Sequence, residues 1–289
     1  MSVVGKINVG YIGLGNIGKP SAKHLVCDGI NAHVYDVYQP AVEELVELGA
    51  VGCSSVAELA AVCQHIGICV RDDTQVEELL YGDGGILANA SAGTLVAIHS
   101  TVPRDSLLRW SADAADKDIQ LLDAAISGGA TGAEAGTLCY MVGGDSDIVA
   151  RATPIFETSA DKVVHAGELG TGMLLKLCNN LITYAEFMAM SEATRLAEAG
   201  GLSADVLREV GKSNGVINES MHSFISNRNA LAESCTEQQM EEIFGAFGRL
   251  GEKDLDCALA SAQVMGVELP STRRLRDSVY ALFLNKDQE

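Results

Sequence analysis

Lys176 and Asn180 are the residues of this chain whose types and spacing carry the most chemistry. They stand in the run Gly170-Thr171-Gly172-Met173-Leu174-Leu175-Lys176-Leu177-Cys178-Asn179-Asn180. Four residues apart, they share one face if the run is helical. An ammonium and an amide on one face can hold a hydroxyl and move its proton, which oxidation of a hydroxyl-bearing carbon requires. Most lysines are simply solvated. Leu174, Leu175, Leu177 and Leu181 crowd this one, which argues against full solvation. Gly170 and Gly172, one turn earlier, are expected to leave room for a flat ring to approach the backbone.

A second constellation says what that ring would be. Gly13-Leu14-Gly15-Asn16-Ile17-Gly18 follows an apolar run at 7–12 and opens a helical pattern. In a dinucleotide site the first glycine makes the tight turn and the second admits the pyrophosphate. The third lets helix pack on strand, and the helix N-terminal amides hold the phosphates. Asp36 closes the second strand pattern, where an acid binding the ribose hydroxyls is expected. A carboxylate there repels a 2′-phosphate, and the next residue, Val37, offers no guanidinium, so NAD is preferred to NADP. Val70 and Arg71 end a further strand and are counted with the cofactor contacts. Arg71 lies either by the pyrophosphate or adenosine ribose or at the surface.

The elements that must position these residues read in two parts. Strand patterns at 7–12, 32–35, 65–70, 94–99, 119–123, 137–142 and 162–165 alternate with helical ones such as 17–27, 41–48, 74–81 and 106–116. That order implies an α/β fold with a doubly wound, mostly parallel sheet of Rossmann type covered on both faces. From 173 to 199 runs one helical stretch without proline or glycine, about 40 Å long at 1.5 Å per residue. All that follows reads helical. The expected domains are 1–168, binding the dinucleotide, and 169–289, all-α, with substrate pocket and oligomerisation surface. So long and apolar a helix suggests a homodimer or homotetramer.

Composition narrows the function further. The chain has 289 residues, 47% hydrophobic and 20% charged, with a formal net charge of −19, which fits an ordinary globular protein and disfavours nucleic acid and anionic membranes. No apolar run reaches the ~18 residues of a membrane span, and the first six residues lack a leader's apolar region, so a cytoplasmic location is expected. The eight cysteines form no CxxC and no metal-ligand spacing with histidine; no disulfide framework and no metal are expected.

Several segments together resemble the β-hydroxyacid dehydrogenases, the group that includes 3-hydroxyisobutyrate dehydrogenase. They are Gly10 through Gly18, Ser100-Thr101-Val102-Pro103, Asp123-Ala124-Ala125-Ile126-Ser127-Gly128-Gly129 with Gly136-Thr137-Leu138, the Gly170 to Asn180 run, and Lys253-Asp254-Leu255. The resemblance spans nearly the whole chain, in order. It implies a substrate carboxylate held by Ser127, Gly128 and Gly129, and Thr101 beside the nicotinamide. It implies Lys176 as general acid and base, Asn180 as an amide orienting substrate, and Lys253 reaching the nicotinamide end. Asp254 is expected to fix its helix. The implied reaction is hydride transfer between NAD and the β-hydroxyl carbon of a small 3-hydroxy acid, or reduction of the matching semialdehyde.

Departures from the family pattern carry their own expectations. His99 stands where an acid is commoner, and is either structural or lines the pocket. Val70-Arg71-Asp72-Asp73 replaces a leucine-proline turn. Ile217, Asn218, Phe244 and Phe247 are candidates for reading the substrate's side group, with core packing the leading role for the phenylalanines. Two alternatives stand beside the dehydrogenase. An imine reductase usually carries aspartate or tyrosine in place of Lys176, and a non-catalytic NAD-binding or sensing protein would lose the lysine.

Overall fold

The computed structural model describes residues 6–287. Residues 1–5, which carry most of the leader reading, lie outside them. Two compact units divide the chain, one ending at Lys176 and the other beginning at Leu177. In chain order the first contains β1 (Ile7–Ile12), α1 (Gly18–Lys23), β2 (Ile30–Tyr35), α2 (Gln39–Glu47), β3 (Val51–Gly52), α3 (Val56–Val62), β4 (His65–Ile68) and α4 (Asp73–Tyr81). Next come α5 (Ile86–Asn89), β5 (Leu95–Ile98), α6 (Arg104–Ala115), β6 (Gln120–Ser127), α7 (Gly129–Ala135), β7 (Leu138–Gly143), α8 (Ser146–Phe156) and β8 (Ala160–Gly167). The helix α9 (Thr171–Ala199) passes from the first unit into the second. There follow α10 (Ala204–Asn214), α11 (Glu219–Ser234), α12 (Glu237–Met265) and α13 (Pro270–Phe283).

The strands form one sheet in the order β3-β2-β1-β4-β5-β6-β7-β8. Strands β1 to β6 pair in parallel; β6 and β7 pair antiparallel, and β8 runs parallel to β7. Alternation along each strand sends side chains to opposite faces. Val96 and Ile98 pack with Leu59, Val76, Leu80, Leu107 and Trp110 from α3, α4 and α6. Their neighbours Leu95 and Ala97 pack on the other face with Ala133, Val149, Ala152 and Phe156 from α7 and α8. Both faces being covered, the strands read as nearly continuous apolar runs. Residues 124–127 belong to β6 beyond the expected strand, and the helices α3, α7 and α8 fill gaps that the sequence pattern left unassigned.

Two histidines lie in this interior. His99 Nδ1 donates to the carbonyl of Ala124 at 2.8 Å, and its ring stacks on Tyr11 with centroids 5.6 Å apart. Its Nε2 lies where a Cβ on Gly67 would sit 2.8 Å away. His65 meets Phe156 edge-on. Burial pushes His99 down to about 4 and His65 down to about 3. His99 is therefore a core residue with its donor committed, and the pocket-lining alternative is set aside.

The start of α9 is fixed by a buried acid. Asp123, on β6, is 0% exposed. Its Oδ1 accepts from the Gly170 amide at 2.7 Å and its Oδ2 from the Met173 amide at 2.6 Å. These donors lie at the N-terminus of α9, Gly170 just before it and Met173 in its first turn, where N–H groups lack partners within the helix and the dipole favours negative charge. Burial raises the Asp123 carboxyl above its ordinary value, and the backbone donors pull against that rise. The contact needs glycines. A Cβ on Gly172 would sit 2.4 Å from the Met141 carbonyl of β7, and one on Gly143 would sit 2.4 Å from Asp123 Oδ1. The expectation that Gly170 and Gly172 make room for a ring is thus corrected. The space beside Gly172 is filled by β7, and that beside Gly170 by the Arg104 side chain.

In the second unit, Tyr184, Phe187 and Met190 of α9 join Met221, Ile225, Leu255, Leu275, Val279 and Phe283 in one core. Gly248 and Gly251 bring α12 close to Tyr280 and Val279 of α13. Among the described residues no helix is long and apolar enough to cross a membrane, and no cluster of metal-ligating side chains occurs.

Both buried groups make predictions. His65 and His99 titrate near 6.5 when unfolded. Between that value and their folded values the unfolded chain binds more protons, so folding stability is complete above it and falls as pH drops. The expected slope near pH 5 approaches about 2.7 kcal/mol per pH unit for two such groups. Urea titrations from pH 7 to pH 4.5 measure it, and His65→Leu should remove about half. Replacing Asp123 by Asn sets an amide against backbone N–H groups, and unfolding free energy should fall by about 2–3 kcal/mol. An unchanged urea midpoint would refute that anchoring role.

Candidate active site

The parallel strands β1, β2, β4, β5 and β6 end at one edge of the sheet, and the predicted site residues of the first unit follow those ends. The strand order reverses between β1 and β4, and ligands of open α/β sheets bind at that crevice. The loop Gly13-Leu14-Gly15-Asn16-Ile17-Gly18 leaves β1 there, and Val70 and Arg71 follow β4 on the other side.

The three glycines of the loop do different things. Gly13 has φ +93°, and a Cβ on it would sit 2.2 Å from the Cys69 carbonyl. A Cβ on Gly18 would sit 1.9 Å from the Gly13 carbonyl. Gly15 has nothing within 4 Å of its Cβ position. The outer glycines are required by the protein's own backbone; the middle one faces open space that a pyrophosphate can enter. Asp36, one residue past β2, accepts from the Leu14 amide at 2.5 Å through Oδ2 and from the Tyr38 amide at 2.7 Å through Oδ1. It therefore ties the glycine loop to the end of β2, and each oxygen keeps a lone pair that a further donor could use. Val37 is exposed, as is Arg71. Val70 is held by its amide, which donates to Ser100 Oγ at 2.9 Å. Asp72 caps α4 by accepting from the Gln75 amide at 2.9 Å, so this turn closes without the family's proline. These residues fit a dinucleotide: open glycine backbone for the phosphates and an acid at the ribose position.

Next along the edge, Thr101 is half-buried after β5, and Ser127 ends β6. Gly128 and Gly129 have φ of +127° and +62°, conformations that suit glycine alone. They form the entry to α7. A Cβ on Gly129 would meet nothing within 4 Å, so this backbone, like that of Gly15, is open to a ligand. Lys176 stands half-buried in the second turn of α9. Its position relative to Ser127 is set by β6, because Asp123 of that strand holds the turn immediately before the lysine.

In the second unit, Asn180 is buried, and its Nδ2 donates to Asp254 Oδ2 at 2.7 Å. The Tyr184 hydroxyl donates to the same oxygen at 3.2 Å. Burial, and then the neighbouring carboxylate, push the Tyr184 phenol well up, which keeps it a donor. Asp254 is 2% exposed and sits on α12 beside half-buried Lys253. Asp254 thus fixes α9 and α12 to one another. Asn218, a specificity candidate, is exposed and makes two hydrogen bonds. It caps α11 by accepting from the Met221 amide at 2.9 Å and donates to Glu186 at 3.1 Å. Ile217 is in the core against Gly211, and Phe244 packs on that core, while Phe247 is about half-exposed.

The chain's two parts match two family models. Residues 8–167 match the NAD binding domain of 6-phosphogluconate dehydrogenase, and residues 170–288 the NAD-binding of NADP-dependent 3-hydroxyisobutyrate dehydrogenase. The sequence is 32% identical to 3-hydroxyisobutyrate dehydrogenase of Pseudomonas aeruginosa, over 98% of this chain and 94% of that one. It is 33% identical to the NAD-dependent L-serine dehydrogenase of the same organism, over 96% and 92%. The solved structure of Mycobacterium tuberculosis 3-hydroxyisobutyrate dehydrogenase with L-serine has a TM-score of 0.83 at 26% identity and covers 98% of both chains. The chain is accordingly a nicotinamide-dinucleotide-dependent oxidoreductase and a member of the β-hydroxyacid dehydrogenase family.

Proposed function

We propose that this protein is an NAD-dependent dehydrogenase of a small 3-hydroxy acid, or a reductase of the matching semialdehyde, with Lys176 as general acid and base. The observation that carries the reading is the double use of β6. Its Asp123 anchors the turn before Lys176, and its end presents Ser127 and the open backbone of Gly129. A carboxylate bound at that end by the serine hydroxyl and backbone N–H groups leaves the substrate's hydroxyl directed toward the lysine.

The bound nicotinamide supplies the hydride acceptor at the hydroxyl-bearing carbon. Lys176, as the free amine, takes the hydroxyl proton; in the reverse direction its ammonium returns that proton to the forming alkoxide. Thr101 and Lys253 line the nicotinamide end, and Asn180 orients the substrate. Two similar proteins named for 3-hydroxyisobutyrate and L-serine support the substrate class, since both acids carry a hydroxyl on the β-carbon. Asp36, followed in sequence by Val37 and not by an arginine, supports NAD over NADP. Exposed Ile182 and Leu196 on α9 support a homodimer or homotetramer, and the assignment includes a cytoplasmic location.

Turnover is measured with 3-hydroxyisobutyrate, L-serine, 3-hydroxypropionate and glycerate. Lys176→Met should lower kcat/KM for the accepted acid by about 10³-fold while NADH binding persists. Retained turnover would remove the lysine from the mechanism, and no turnover of any acid by the unaltered protein would overturn the substrate class. NAD⁺ should be preferred to NADP⁺ by at least about tenfold in kcat/KM, a difference of ~1.4 kcal/mol. Equal use would refute the assignment based on Asp36.

A further inference from the structure

We propose that the segment after α13 is a strap, and that the Asp287 carboxylate is the resident ligand of an anion site built by Arg195, Arg228 and Ser191 inside the second unit. Ser191 on α9 and Arg228 on α11 are each 1% exposed, and so is the Asp287 side chain. Arg195 follows Ser191 by one turn on α9, with its side chain 27% exposed. A guanidinium keeps its charge in an interior, so its burial must be compensated by acceptors. Arg228 Nη1 donates to the Leu282 carbonyl at 2.7 Å and Nη2 to Ser191 Oγ at 3.0 Å. Nε and Nη2 donate to Asn229 Oδ1 at 3.2 and 2.8 Å. These acceptors are neutral. The carboxylate that faces the guanidinium is that of Asp287, whose Oδ1 lies 3.7 Å from Nη1.

The Ser191 hydroxyl fixes how the site is wired. It has one proton and two lone pairs. Arg195 donates to it at 2.9 Å and Arg228 at 3.0 Å, which leaves its proton for Asp287 Oδ2 at 2.9 Å. The same Oδ2 accepts from Arg195 Nη1 at 2.7 Å, the short distance of a charge-assisted bond. Burial pulls the Arg228 guanidinium down to about 10, and the Asp287 carboxylate opposes that pull. One carboxylate thus joins α9 to α11 and the strap to both. It arrives on a short connection. After α13 ends at Phe283, the amides of Asn285 and Lys286 donate back to the carbonyls of Leu282 and Ala281 at 3.2 and 2.8 Å. The turn passes through Asn285 at φ +58°, a conformation asparagine tolerates better than most residues. The clamp holds while the carboxylate is seated and opens when it leaves. With Asp287 withdrawn, two guanidinium groups and a hydroxyl would converge on a space shaped for one carboxylate. The ligand class such a site takes is a small carboxylate anion.

The test is chemical rescue. Asp287→Ala removes the carboxylate alone, and its thermal midpoint, followed by circular dichroism, should fall by about 10 °C. Sodium formate matches the group removed and should restore about half of that loss or more, in a saturable manner. Sodium chloride at equal ionic strength and neutral formamide should restore none. Asp287→Asn, which fills the site without charge, should also lose midpoint and should not respond to formate, and neither should the unaltered protein. An unchanged midpoint in Asp287→Ala, or an equal gain from formate in all of these proteins, overturns the proposal. Should Asp287→Ala not fold in buffer, it is refolded with formate or with formamide. Recovery in formate alone supports the site, and equal recovery in both overturns it. Should it fold in neither, amide hydrogen exchange is compared between the unaltered protein and Arg195→Met, a change at a partly exposed side chain. Exchange at Asn285, at Lys286 and along α11 should quicken together by about tenfold. Exchange that is unchanged, or that quickens in the strap or in α11 alone, overturns the proposal.

Discussion

A carboxylate enclosed in the sheet holds the rest of this site in place. Asp123 has no access to water and is satisfied by backbone amides of an approaching helix. An acid so placed tolerates little displacement of its donors, because the interior offers it no substitute. The helix in turn cannot find other partners for its first N–H groups without leaving the sheet. Each side therefore fixes the other, and the tight glycine contacts at Gly143 and Gly172 follow from that demand. The placement of the turn before Lys176 thus begins with the burial of Asp123.

The two units contribute different kinds of order. In the first, the strand ends present open backbone at Gly15 and Gly129, where side chains would obstruct a ligand. In the second, a buried acid on α12 restrains an amide and a phenol on α9. Both units use neutral donors to hold an acid. In a chain with a formal charge of −19, this spares the scarce lysines and arginines for other work.

The glycine loop, Asp36, the strand succession and the long helix were legible in the sequence because each has a local signature: glycine spacing, an acid at a strand end, or apolar periodicity. The family resemblance, which holds, picked out the segment containing Asp123 but gave that acid no role. Its partners lie about fifty residues away, and the spacing of residues carries no trace of such a contact. The same holds for Asp254, joined to Asn180 across more than seventy residues. Gly172 was misread for a related reason. A glycine marks a close approach, and its type alone does not say whether a ligand or a strand makes it. Asn218 caps α11, a use of its side-chain oxygen that the sequence reading did not assign.

Asp36 has a bearing on attempts to redesign cofactor preference. Its two oxygens hold the amides of Leu14 and Tyr38, so the acid proposed to meet the ribose is also a brace. Exchanging it for a small neutral residue to admit a phosphate would also release the glycine loop on one side and the entry to α2 on the other. The selectivity proposed for Asp36 and the bracing of the loop thus fall on a single side chain. A redesign must therefore rebuild the brace from another residue before it can profit from the altered charge.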